Sequence, residues 1–263
     1  LEDLGISERR SRRLRKRRNR ITRYLGGEGA PIRKIGPLYL SRRNFSWWIG
    51  TLFMIGSFCF AAGTLIAVSE NPKPAGIIFF IGSIFFTSAG YSQFLEVINA
   101  GKADPGAPDK IKLFAVMRGD IEWQATFIQF VGTLFFNVTT GAALISVLDS
   151  EQAKRLVWSP DVFGSIAFLW ASALAVIEVR RNWHGDPRRN REWAITWLNM
   201  IGSIAFGLSA IGAYVVPDTG SVLNAAWDNG GTFIGAVCFF VGAYLLWPEA
   251  AEAAAHVAEL EAR

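Results

Sequence analysis

The sequence predicts an all-α integral membrane protein of six transmembrane helices, arranged as three pseudo-repeated hairpins with both termini in the cytoplasm. Three observations predict it. Six stretches approach or exceed the ~20 apolar residues that a helix needs to cross a ~30 Å hydrocarbon core. Basic residues crowd into alternate connections between those stretches. One Gly/Phe pattern recurs in all six.

The stretches are 45–68, 74–99, 123–148, 161–179, 193–216 and 229–247. Lys and Arg are absent from the first three, the fifth and the sixth, and the fourth runs up to Arg180 and Arg181. As buried helices of a soluble domain, six such runs in a 263-residue chain would leave too few polar faces to solvate it. The chain therefore divides into a basic arm (1–44), a first hairpin (45–99), a loop (100–122), a second hairpin (123–179), a basic loop (180–192), a third hairpin (193–247) and an acidic, Ala-rich tail (248–263). The segments 69–73, 149–160 and 217–228 are expected to be the opposite-side loops.

Those three loops carry only Lys73, Lys154 and Arg155, whereas the arm, the loops 100–122 and 180–192 and the tail carry the other 24 basic residues. By the positive-inside rule the second group lies in the cytoplasm. No cleavable signal peptide is expected, because the first apolar stretch begins only at Phe45. The chain does not start with Met, so a trimmed or incomplete sequence is expected. Localisation in the cytoplasmic membrane follows.

Composition narrows the function classes. Two Cys exclude a disulfide-built scaffold, and both Cys59 and Cys238 fall inside predicted spans, where packing is their expected role. Two His argue against a multi-histidine metal centre or bis-His haem. His184 falls in a turn-like loop and His256 on the tail, and no Ser/His/Asp set, paired-carboxylate acid site or Cys/His metal spacing assembles. No enzyme activity, metal or cofactor is expected.

The repeat is the most informative feature. Gly56-Ser-Phe-Cys-Phe60 and Gly82-Ser-Ile-Phe-Phe86 open the series; Gly132 to Phe136, Gly164 to Phe168, Gly202 to Phe206 and Gly235 to Phe239 repeat the same offset. Positions i and i+4 share a helix face, and Gly beside a small residue lets another backbone approach. Helix packing is the expected role, with a repeated substrate groove as the functional alternative. Trp47, Trp123 and Trp193 lie nine residues before the Gly of the odd spans, and Glu96, Glu178 and Glu249 fourteen after that of the even spans. Both sets fall at the cytoplasmic interface, as anchors and ion pairs or, alternatively for the Glu, as a cation ring or proton relay.

The runs Ile55-Gly-Ser-Phe-Cys-Phe60 and Phe80-Ile-Gly-Ser-Ile-Phe-Phe86, followed by Tyr91-Ser-Gln-Phe-Leu-Glu96, resemble the YrhK-like family of small bacterial membrane domains. The resemblance covers the first hairpin, with the other two lacking the Tyr91/Gln93 step. It implies a bacterial membrane hairpin unit, possible in three tandem copies, and brings no catalytic residues.

The arm segment 9–23 holds ten basic residues before a membrane entry, which fits anionic lipid better than nucleic acid. Gln129, Asn137 and Asn199 are expected to hydrogen-bond between helices or, alternatively, to line a polar pathway. Two function classes follow: a scaffold or accessory subunit with protein partners or self-association, and a channel or transporter for a small neutral or amphiphilic solute.

Overall fold

Each apolar stretch becomes one long helix. The computed structural model describes residues 45–69, 72–99, 112–117, 119–145, 147–181 and 189–247. The basic arm, His184, Glu249, His256 and the tail lie outside them. The helices are α1 (Phe45–Val68), α2 (Pro72–Asn99), α3 (Ile121–Ala142), a single turn α4 (Ser150–Ala153), α5 (Ser159–Arg181), α6 (Arg189–Gly212) and α7 (Ala225–Tyr244). Apart from an isolated bridge between Val215 and Val222, the described residues are helical or irregular.

The six long helices close into a ring. α1 packs on α2, α2 on α3, α3 on α5, α5 on α6, α6 on α7, and α7 returns to α1. Contact is most extensive within α1/α2, α3/α5 and α6/α7. At the α1/α7 seam the Trp47 and Trp247 rings stack at 5.4 Å, and the Trp247 indole N–H donates to Thr51 Oγ1 at 3.2 Å.

Among the described residues, four helices are long and apolar enough to cross a membrane, over Trp47–Val68, Lys73–Asn99, Ser150–Arg181 and Arg191–Gly212. The sequence reading had expected six such helices. α3 and α7 stand in the same ring, but Glu122, Gln124, Gln129 and Asn137 in one, and Asp228 and Asn229 in the other, lower their mean hydropathy.

Local chemistry also moves four boundaries from the sequence expectation, among them the start of α7, at Ala225 rather than Asn229. The segment 149–160, expected as a loop, is helical from Ser150 onward. Asp149 Oδ1 accepts the Gln152 N–H at 2.8 Å while Gln152 Oε1 accepts the Asp149 N–H at 3.2 Å, a reciprocal cap that starts a helix early. That helix passes through a π turn, Lys154–Trp158, directly before Pro160. A proline has no N–H for the carbonyl four residues back and its ring crowds it, so the widened turn relieves the clash. α3 correspondingly stops at Ala142 rather than running to Leu148. α6 stops at Gly212 rather than Val216, where the Gly212 carbonyl accepts the Asn224 N–H at 2.9 Å. Asn224 then caps α7, its side chain accepting from the N–H groups of Ala226 and Trp227 at 3.0 Å each. Gly220, at φ +64°, makes the turn between the two ends.

Candidate functional site

Successive residues of a helix are turned by about 100°, so a five-residue motif addresses several directions. In this ring each motif position has its own neighbour. The glycines face the hairpin partner. A Cβ on Gly56 would meet the Phe86 ring at 2.5 Å and the Gly82 carbonyl at 3.0 Å, and one on Gly82 would meet Cys59 Cβ at 2.8 Å and the Gly56 carbonyl at 3.1 Å. Gly132 and Gly164 meet Phe168 and Phe136 in the same crossed fashion, as do Gly202 and Gly235 with Phe239 and Phe206. Such close approach is what dispersion between helices requires in lipid, where there is no hydrophobic drive to associate.

The residue after each Gly turns inward toward the adjacent hairpin. Ser57, Ser83, Thr133, Ser165, Ser203 and Ala236 are only 0–3% exposed. Between α2 and α3, Ser83 Oγ and Thr140 Oγ1 are 2.9 Å apart. Between α5 and α6, Ser203 Oγ lies 2.8 Å from Ser172 Oγ and 3.2 Å from the Phe168 carbonyl oxygen, while Ser165 donates to the Phe206 carbonyl. At the level of the motif the α1/α7 seam has no matching hydroxyl bond. Ser57 lies two turns along the face of Gly50, whose Cβ would touch the Ala243 carbonyl of α7. Its buried hydroxyl oxygen has no partner, and the equivalent residue on α7 is Ala236.

The next residue points outward: Phe58, Ile84, Leu134, Ile166, Ile204 and Val237 are 42–65% exposed. They belong to a broad apolar outer surface with Ile55, Leu65, Ile81, Phe163, Trp170, Ile201 and Leu208. A surface of this size marks contact with lipid or protein.

The six repeat phenylalanines meet on the axis, 1–6% exposed. Phe86, Phe168 and Phe239 form one triangle, with ring centroids 5.6–6.3 Å apart. In a second layer Phe206 bridges Phe60 and Phe136, touching them at 5.9 Å and 5.8 Å. Within hairpins the two layers touch at 5.2–5.7 Å through Phe60/Phe86, Phe136/Phe168 and Phe206/Phe239. The result is a trigonal prism of aromatic rings, each contact of a kind worth about 0.5–1.5 kcal/mol.

The candidate polar pathway residues are not drawn together. Asn137 Nδ2 donates to Thr87 Oγ1 at 2.8 Å across the α2/α3 seam, and its buried Oδ1 has no partner. Asn199 Oδ1 lies 3.1 Å from where a Gly242 Cβ would be, between α6 and α7, and its carbonyl accepts from Ser172 and Ser203. Gln129 is half-buried on α3. Trp47, Trp123 and Trp193 all stand at the same end of the ring, within the first five residues of α1, α3 and α6, and half-buried Glu96 and Glu178 stand near that end on α2 and α5. At the opposite end Asp161 and Asp228 come within electrostatic reach, and Ser209 Oγ donates to Asp228 Oδ1 at 3.2 Å. Among the described residues no group of three His, Cys, Asp or Glu could hold a metal ion.

Sequence reasoning missed a second aromatic cluster, in which fully buried Phe94 touches Tyr91, Phe114, Trp123, Phe127 and Phe130. The run of aromatics at 123, 127 and 130 with Phe94 was its only signal.

The seams make a paired prediction. Ser203→Ala removes a hydroxyl that bonds across to α5 and is expected to cost about 1 kcal/mol. Ser57→Ala removes a hydroxyl with no partner and is expected to leave stability unchanged or slightly higher. Equilibrium unfolding in mixed micelles, followed by tryptophan fluorescence, distinguishes the two. Comparison with protein families, curated proteins and solved structures finds no match to this chain.

Proposed function

We propose that the chain is a non-conducting scaffold or accessory subunit of a larger membrane assembly. It crosses the membrane six times, with both termini and the basic arm in the cytoplasm and anionic lipid at the arm. The observation that carries this reading is the phenylalanine prism, because a helix ring filled with rings on its axis has no water passage there and leaves its outer apolar surface as the working surface. The separation of Asn137 and Asn199 onto different seams also favours a scaffold over the alternative, a channel or transporter for a small neutral or amphiphilic solute. The first hairpin is read as a YrhK-like bacterial unit on its own residues, Tyr91 and Gln93 among them.

Two measurements test the reading. Vesicles holding the purified chain should shrink in glycerol or urea gradients no faster than empty ones in stopped-flow light scattering. Native purification should yield a stoichiometric partner or a defined homo-oligomer. Solute flux tenfold above empty vesicles, an order-of-magnitude margin, would reverse the assignment to the transporter class. A strict monomer without partners would remove the scaffold role.

A further inference from the structure

The connection between α2 and α3 contains a non-helical strap, residues 112–117, whose backbone is held by side chains of the bundle. The Asn99 amide makes both hydrogen bonds of a β-like pair with Lys112: Nδ2 donates to the Lys112 carbonyl and Oδ1 accepts the Lys112 N–H, each at 2.9 Å. The Tyr91 hydroxyl donates to the Leu113 carbonyl at 3.1 Å, and the Trp123 indole N–H to the Ala115 carbonyl at 2.7 Å. The Asp120 N–H donates to the Met117 carbonyl at 3.2 Å. Four of the six strap carbonyls thus have a protein donor.

The side chains contrast with that satisfied backbone. Leu113, Phe114 and Val116 are 66%, 61% and 56% exposed, although Phe114 also edges the buried Phe94 cluster. In water, exposed carbonyls need no internal donor and exposed leucine and valine gain nothing. At a membrane surface both features are required, since little water reaches the backbone and apolar side chains are solvated by acyl chains. The neighbouring Tyr91 and Trp123 are the residue types favoured at that depth. Residues 109–122 carry three basic and three acidic side chains, so the segment has no net charge to steer it to an acidic surface.

We propose that this strap lies in the headgroup–acyl boundary of the leaflet at the Trp47/Trp123/Trp193 end, with Leu113 and Val116 in lipid, held there by apolar contact rather than by charge. The proposal rests on the membrane reading above and adds a fixed, non-helical lipid-binding element.

The test uses the full chain in phosphatidylcholine vesicles. Cys59→Ala and Cys238→Ala keep the Cβ atoms that pack on Gly82 and Gly202. Single cysteines then replace Leu113, Val116 or, as a control on the outer face of α1, Phe58, each carrying a bimane label. A lipid with a nitroxide near its headgroup should lower strap-label emission about twofold, while aqueous iodide leaves it nearly unchanged, and adding salt or anionic lipid should alter neither. If the Phe58 label is quenched by deep lipid nitroxides but the strap labels respond to iodide, the strap proposal alone fails. Strap labels shielded from both quenchers would mean cover by protein and also overturn it. A Phe58 label untouched by lipid nitroxides would remove the membrane reading itself.

Discussion

A single methyl group added at Gly231 is expected to force α6 and α7 apart and to cost about 3 kcal/mol, the upper end of overpacking penalties. A Cβ there would lie 2.5 Å from the Ala205 carbonyl oxygen and 2.7 Å from the Ser209 nitrogen. Both are backbone atoms, so no side chain can rotate out of the way and one helix must move. Gly231 is one turn before the motif Gly235, so the displacement carries directly into the Gly202/Gly235 crossing. Gly207→Ala on α6 is the control. Its Cβ would meet nothing within 4 Å, and the gain in helix propensity should raise stability by about 0.8 kcal/mol. Equilibrium unfolding in mixed micelles should therefore move in opposite directions for two Gly→Ala changes at the same helix pair. Equal effects would mean that helix propensity, not backbone approach, sets the role of glycine here.

Phe168→Ala is expected to be the costliest truncation, at about 3–5 kcal/mol. Phe168 is 1% exposed, touches Phe86, Phe136 and Phe239, and lies over Gly132, where a Cβ would sit 2.8 Å from its ring. Removing it leaves a void on the axis that lipid cannot enter. Phe58→Ala deletes the same ring from the outer face, where it is 65% exposed and acyl chains can close over the gap, so about 1 kcal/mol or less is expected. Matched unfolding curves for the two variants would show that the prism is not the bundle's core. The volume opened by Phe168→Ala is also the place where solute flux would first appear if the prism is what closes the axis.

Much of this was legible in the sequence because it depends on composition along a single helix. The apolar stretches locate the long helices, and Gly56, Gly82 and their equivalents announce close approach. Which neighbour each glycine would meet was not legible. Gly56 could face a hairpin partner, an adjacent hairpin or another chain, and only the closed ring assigns Gly to the first, the following small residue to the second and the third residue to the outside. Gln129, Asn137 and Asn199 look alike in sequence, since a lone amide in a span serves a seam or a lumen equally well. The helical character of 150–160 was hidden by Pro160, which reads as a breaker unless the π turn before it is known. The strap was hidden because its hydrogen-bond donors, Tyr91, Asn99 and Trp123, come from two different helices and leave no local pattern.

The stacked Trp47 and Trp247 rings put the first and last helices of the ring side by side, and among the described residues no loop joins them. A ring of this kind has no privileged first hairpin. Three free hairpins with the same crossed glycines could build it as a trimer, and a chain cut open at the α2/α3 connection and joined at α7/α1 should close the same way. What fusion into one chain adds is individuality. Identical subunits must use one seam three times, whereas this chain has hydroxyl pairs at Ser83/Thr140 and Ser172/Ser203 and an unpartnered Ser57 hydroxyl on α1. Linked hairpins can diverge seam by seam without losing their neighbours.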